Sequence, residues 1–386
     1  LRHENSSYSG NTIIGSGRKA IAAGGVSYAY VREAMELAGA DTALMKVSTP
    51  YPFPEDKALE LLSGADEVLV FEELECVIEK ELIYICGKHG LKKTIHGKLD
   101  GTLPIAGEYS VSLAEKAICA YLGLKAPESV QLQMPALPMR PPVLCAGCPH
   151  RASFFAVKEA MKGKKSFFGG DIGCYTLGNA MPLDMVDTCL CMGAGITVAQ
   201  GIKRACPDTY CFSFTGDSTF FHTGMPGIAN AVYNGTKLTA VILDNSTTAM
   251  TGHQPNPSTG FTATHEVAER INIEKVLEGL GVGMIRIVDP FRLNEAIMTV
   301  RECAEYPGVS AIIFRAPCIA LVKPKKPYRV AANKCIGCKK CITAIGCPAI
   351  SFGNKKACVD SALCFGCGLC ADVCPVGALS VRKEND

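Results

Sequence analysis

TYCFSFTGDS (209–218) and LTAVILDNSTT (238–248) each run from a short apolar strand candidate into a polar turn. Helical stretches separate them from two more strand candidates, MIRIV (284–288) and AIIFR (311–315). Strands that alternate with helices and end in Gly, Asp or Asn predict an open α/β sheet. Such sheets bind ligands beyond the carboxyl ends of their strands, so ligand chemistry is expected in the turns. The first turn offers Gly216, Asp217 and Ser218, and the second offers Asn245 and Thr247. A helix starting near Gly224 would add its N-terminal dipole. Taken alone, two ordinary turns of an α/β sheet are the competing reading.

Outward from this centre, proline-rich joints at 126–142 and 323–327 divide the chain into three segments. The first segment shows the same alternation. EVLVF (67–71) reads as a strand, and Val26, Tyr30, Ala34 and Leu37 read as the apolar face of a helix that follows Gly24 and Gly25. With 386 residues, 48% hydrophobic and 20% charged, there is chain enough for several globular cores and no apolar run long enough to span a membrane. A net charge of +2 draws the protein neither to nucleic acid nor to an anionic surface. The first residues, LRHENSSYSG, carry no secretory signal, and with no starting Met they suggest a processed or truncated chain.

The 21 cysteines suit metal-binding thiolates of a cytoplasmic protein better than disulfides, which belong to short secreted chains with small cores. Cys335, Cys338 and Cys341 recur 29 positions later as Cys364, Cys367 and Cys370, which marks a duplicated half-domain. The second run, CFGCGLCADVCP (364–375), has the C-x2-C-x2-C-x3-C-P spacing of bacterial [4Fe–4S] ferredoxins. The last Cys of such a run ligates the other cluster. The expected sets are therefore Cys335, Cys338, Cys341 with Cys374, and Cys364, Cys367, Cys370 with Cys347. In the first run five residues rather than three precede Cys347, and Cys358 is left over. Tetrahedral zinc is the alternative that C-x-x-C pairs leave open.

The pair of polar turns resembles the thiamine diphosphate signature, with Ser218 where that superfamily usually has Gly. Four runs, CAGCPHR (145–151), GDIGCY (170–175), TGDSTFFHTG (215–224) and DNSTTAMTGHQ (244–254), occur in the order seen in the large (alpha) subunit of indolepyruvate ferredoxin oxidoreductases, which the whole chain resembles. PYPFP (50–54) and VLVFEELE (68–75) extend that resemblance to the first segment. It implies a transketolase-C-terminal-like α/β domain over 1–125, a thiamine diphosphate-binding α/β domain over 141–322 and an α+β 2[4Fe–4S] ferredoxin-like domain over 327–382. Gly216, Asp217, Ser218, Asn245 and Thr247 would bind the cofactor, and Asp217, Asn245 and the Thr247 carbonyl would hold magnesium. Cys145, Cys148, Cys174 and Cys318 are candidates for a third cluster, and Cys189, Cys191, Cys206 and Cys211 are expected to pack as small hydrophobes. His150, His222 and His253 are candidate pocket groups. Arg151 could hold a carboxylate or brace its own loop.

The activity implied is oxidative decarboxylation of aryl-pyruvates with coenzyme A to aryl-acetyl-CoA and CO2, with electrons leaving through the clusters to ferredoxin. A smaller beta subunit and a pyrimidine-binding domain, which carries the activating Glu, would have to come from outside this chain, leaving it incompetent alone. A different 2-oxoacid specificity, or a non-catalytic electron-transfer subunit, are the alternatives.

Overall fold

The computed structural model describes residues 2–125 and 135–381, so residues 126–134 of the first proline-rich joint lie outside the described residues. Two compact units divide the chain at Leu137 and Pro138. No helix among the described residues is long and apolar enough to cross a membrane.

The first unit is built on a five-stranded sheet of β1 (Thr12–Ile14), β2 (Lys19–Gly24), β3 (Ala43–Val47), β4 (Glu67–Phe71) and β5 (Thr94–His96), in the order β1-β3-β2-β4-β5. Only β1 runs antiparallel to its neighbour. The central strand β2 buries Ala20, Ile21, Ala22 and Ala23 completely, because helices cover both faces and small side chains let them approach. The helix Gly25–Ala38 corrects one expectation. Its buried stripe is Ser27, Val31 and Ala34, whereas Val26 and Leu37 are exposed. Neighbouring stripes on a helix differ by about 100° of rotation, and the small Ser27 and Ala34, not the bulkier Val26 and Leu37, set the side that packs. The Glu72 carboxylate accepts from the backbone N–H groups of Val77, Ile78 and Glu79, which start the helix Val77–Lys88.

In the second unit, β6 (Ser166–Gly170), β7 (Thr188–Cys189), β8 (Tyr210–Gly216), β9 (Leu238–Asp244), β10 (Met284–Val288) and β11 (Val309–Arg315) form a parallel sheet ordered β10-β11-β9-β8-β6-β7. All seven residues of β9 are buried, as expected of a central parallel strand covered on both faces. Helices Pro149–Ala160 and Leu293–Glu305 pack on one face and contribute to one core with Phe212, Phe214 and Phe314. Helices Ala194–Ala205 and Met225–Tyr233 supply the other core.

The chain then enters a small α+β module. Here β12 (Tyr328–Val330) pairs with β15 (Leu379–Val381), and β13 (Ile350–Gly353) pairs with β14 (Lys356–Val359), both antiparallel. The sequence repeat is also a backbone repeat. Gly337 and Gly366 share a left-handed φ of 70° and 75°, Lys339 and Gly368 share one of 61° and 86°, and each of the latter opens a four-residue helix, Lys340–Thr343 or Leu369–Asp372.

Candidate cofactor and cysteine sites

Register decides which turns meet. Gly216 pairs with Leu243, and Asp244 pairs with Arg315, so β6, β8, β9 and β11 end side by side and deliver Asp171, Asp217, Asn245 and Cys318 to one edge of the sheet. Asp244 at the end of β9 is held by Arg315 at 2.7 Å, and the backbone N–H of Cys318 donates to the Asn245 carbonyl at 2.9 Å. Ser246, at a left-handed φ of 62°, turns the chain so that Asn245 and Thr247 both line the same cavity of about 200 Å³.

Gly216, Asp217, Ser218, Asn245 and Thr247 all line this cavity, along with His150, Cys174 and Tyr175. The Asp217 carboxyl is 2% exposed. Its Oδ1 accepts from the Ser218 N–H at 2.7 Å, whereas its Oδ2 is buried without a partner. Burial first, and the neighbouring Asp244 charge second, push its pKa up to about 7. A divalent cation would supply the missing partner and offset both penalties. The donor set of one carboxylate, one amide and a backbone carbonyl therefore fits a hard cation that draws its remaining oxygens from a diphosphate. The helix expected near Gly224 begins earlier. Asp217–Thr219, a π-helical turn Phe220–Gly224 and Met225–Tyr233 follow one another directly, so Asp217 itself is the first helical residue.

Among the described histidines, only His150 lines this cavity. It is fully enclosed, its Nε2 lies 3.3 Å from the Asn245 amide nitrogen, and its ring meets Tyr175 edge-on. Burial alone lowers its pKa to about 4, which keeps it neutral and able to accept from the amide. His222 and His253 are exposed and do not line the cavity. His222 lies two residues past buried Phe220, about half a helical turn around, and His253 sits in a loop at a left-handed φ of 64°. Nor does Arg151 line it. The guanidinium donates to the carbonyls of Ile345 at 2.6 Å, Gly346 at 2.8 Å and Leu144, so of its two expected uses bracing is the one the geometry exhibits.

Tyr175 forms part of the cavity wall and Asp171, which does not line the cavity, holds the tyrosine in place. Asp171 is wholly buried, bonds the Tyr175 hydroxyl and accepts from Gly193 N–H at 2.9 Å; burial raises its pKa to about 6. Tyr175 also bonds Thr219, and its ring would meet any Cβ placed at Gly216 at 2.8 Å. That contact is why glycine stands at the end of β8.

The ferredoxin-like cysteines line two separate cavities. One has Cys335, Cys338, Cys341 and Cys374 in its wall, and the other has Cys347, Cys364, Cys367 and Cys370. Each cavity thus takes three thiols from one run and the fourth from the other. Backbone N–H groups approach the sulfurs, Tyr328 to Cys364 at 3.4 Å and Ala378 to Cys374 at 3.3 Å. Bonds from Ala357 and Gly337 lower the pKa of Cys335. Burial raises the pKa of Cys341, Cys347, Cys367 and Cys370, and four thiols with amide donors around one cavity fit a bound iron–sulfur cluster, which they would hold as thiolates. Among the described residues no three His, Cys, Asp or Glu side chains close on a single metal ion; these thiols stand around cavities instead.

Cys148 lines the Cys347 cavity, and Cys174 lines the Asp217 cavity. Burial raises the pKa of Cys174, and Cys318 and then Cys145 add to the effect, which puts both within electrostatic reach of Cys174. Cys211 is buried as expected, and Cys206 is half-buried. Cys189 and Cys191, in contrast, are exposed, because β7 is the two-residue edge of the sheet and nothing among the described residues covers it. Cys358 is exposed and lines neither cysteine cavity.

Residues 171–314 match the family model of the thiamine pyrophosphate enzymes' C-terminal TPP binding domain, and residues 357–380 match that of the 4Fe-4S binding domain. The chain therefore carries a thiamine diphosphate-binding domain and an iron–sulfur-binding domain. Among curated proteins it is similar to the indolepyruvate oxidoreductase subunit IorA of Thermococcus kodakarensis, with 41% identity over 95% of this chain and 61% of the relative. The IorA subunit of Methanothermobacter marburgensis is 39% identical over 95% and 60%, and that of Archaeoglobus fulgidus 37% identical over 100% and 63%. The chain spans about three fifths of the length of these relatives. With 37–41% identity sustained over nearly all of its own length, the chain is similar to the indolepyruvate oxidoreductase IorA subunits.

Proposed function

We propose that this chain provides the thiamine diphosphate and iron–sulfur portion of an enzyme that oxidatively decarboxylates aryl-pyruvates with coenzyme A. The products are an aryl-acetyl-CoA, CO2 and two electrons passed singly to ferredoxin. A pyrimidine-binding domain and a smaller subunit complete the enzyme. The observation that carries this reading is the cysteine trail. Cys174 lines the Asp217 cavity, Cys145 and Cys318 bear electrostatically on Cys174, and Cys148, in the same C-x-x-C as Cys145, lines the cavity of Cys347, Cys364, Cys367 and Cys370.

When bound, thiamine diphosphate supplies the electron sink for loss of CO2, and [4Fe–4S] clusters accept single electrons. The chain's own residues do the rest of the work assigned here. Asp217 Oδ2, the Asn245 amide oxygen and the Thr247 carbonyl would hold the magnesium ion that binds the diphosphate. Neutral His150 accepts from the Asn245 amide nitrogen and so turns the amide oxygen toward the cation. Tyr175, fixed by Asp171 and Thr219, closes the wall behind Gly216 and excludes water. Three cysteine sets, Cys145/Cys148/Cys174/Cys318, Cys347/Cys364/Cys367/Cys370 and Cys335/Cys338/Cys341/Cys374, would each hold a cluster able to accept single electrons.

One assay of iron, sulfide and thiamine on anaerobically purified protein tests the reading. About twelve irons per chain are expected for three clusters and about eight for two. Asp217→Ala should lose at least about 100-fold in thiamine affinity, since a charge-assisted metal contact is removed, while its iron content stays unchanged. Full thiamine affinity in that variant would refute the cofactor assignment. With the complementary parts added, indolepyruvate and phenylpyruvate should turn over faster than pyruvate.

A further inference from the structure

The first cysteine run breaks the ferredoxin spacing by two extra residues, and the structure shows what they do. Ile345 and Gly346, immediately before Cys347, present both carbonyls to one Nη of Arg151. Gly346 turns left-handed at φ 59°, and a Cβ there would lie 2.4 Å from Pro182 and 3.5 Å from the guanidinium. The other Nη is spent on Leu144, yet Nε–H is buried without a partner. Arg151 is 4% exposed and lines the cavity of Cys347, Cys364, Cys367 and Cys370. Among the described residues no carboxylate is bonded to it; the ionisable groups that bear on it are thiols, Cys347 foremost, then Cys148, Cys145 and Cys367. A guanidinium stays charged even when buried, so a fixed positive charge with one free donor faces the cysteine cavity.

We propose that Arg151 is an electrostatic positioning residue for the cluster held by Cys347, Cys364, Cys367 and Cys370. Its charge and its unpartnered Nε–H stabilise the reduced form and raise the reduction potential of that cluster above what the same four thiolates would give. The inference rests on the cysteine assignment proposed above. Reduction adds one electron to the cluster and breaks no bond. The electron comes from the 2-oxoacid and leaves to ferredoxin, and each added negative charge is favoured by a cation and a donor close by. The two-residue insertion is the device that docks the Cys347 loop on this arginine.

The test is a redox titration of the anaerobic holoprotein followed by EPR, with dithionite and mediators and no 2-oxoacid. Arg151→Met should lower the midpoint of one cluster by about tenfold in its reduction equilibrium, about 59 mV for a one-electron couple, and leave the others in place. Arg151→Lys should recover most of the shift. An unchanged midpoint in Arg151→Met at full iron content overturns the proposal, as does an Arg151→Lys midpoint as low as that of the Met variant. If the Met variant loses iron, Arg151→Gln removes the charge and keeps a donor: the same drop supports the proposal, and no drop overturns it. Lack of turnover with aryl-pyruvates would not touch this result, whereas lack of iron in the unsubstituted protein would overturn the proposed function instead.

Discussion

At the scale of single residues, burial decides what the polar groups of the thiamine cavity can do. His150 is enclosed and neutral, with a pKa lowered to about 4, and its value to the site is as an acceptor for Asn245. Between about pH 4 and the ordinary histidine value near 6.5, the unfolded chain binds a proton that the folded chain refuses. Folding stability therefore rises with pH through that window and is complete above it. The full effect amounts to about 3 kcal/mol. His150→Gln keeps a polar acceptor and removes the titration, so the gap in thermal midpoint between variant and parent should move in the variant's favour as pH falls from 7.5 to 5. A gap that does not vary with pH would mean His150 is protonated in the fold. Asp217 and Asn245 were legible in the sequence because each ends a strand in a short local motif. The role of Arg151 was not, because two of its three carbonyl partners lie 194 and 195 positions away.

At the scale of elements, the strands followed from apolar runs bounded by polar turns: β4 and β10 occupy the expected residues, and β8, β9 and β11 differ only at their ends. Helix faces were less legible. Several stripes of comparable hydrophobicity run along Gly25–Ala38, and the choice among them is made by close approach to the sheet, which favours Ser27 and Ala34. The loop before Cys347 illustrates the same limit, since its extra length is plain in the sequence but its purpose is a contact. Two glycine variants separate that contact from backbone strain. Gly346 and Gly377 have nearly equal left-handed φ values, 59° and 58°, but a Cβ at Gly377 meets nothing within 4 Å. Both Ala variants bear about 1–2 kcal/mol of left-handed strain, and Gly346→Ala adds the clash with the Pro182 ring. Thermal unfolding should rank Gly346→Ala clearly below Gly377→Ala, and equal midpoints would remove the docking role of the loop.

At the scale of the whole chain, the two sheets and the cysteine module are stabilised differently. The sheets carry continuous apolar cores, whereas the module of residues 328–381 encloses two cavities walled by thiols, and its strands are only three or four residues long. Small modules of this kind depend on their metal, since binding free energy is folding free energy. Stripping iron should therefore open residues 335–375 to limited proteolysis, read by mass spectrometry, while the six-stranded parallel sheet resists. Equal protection with and without iron would mean the module folds on its own core. By itself the sequence determined that the chain is an α/β protein with a duplicated cysteine module, because strand periodicity, turn residues and thiol spacing are local and survive without tertiary context. Only the tertiary structure decided which thiols share a cavity, which histidine is enclosed and where Arg151 spends its bonds. Those are facts about residues far apart in the chain, settled by packing and by the need of every buried polar group for a partner.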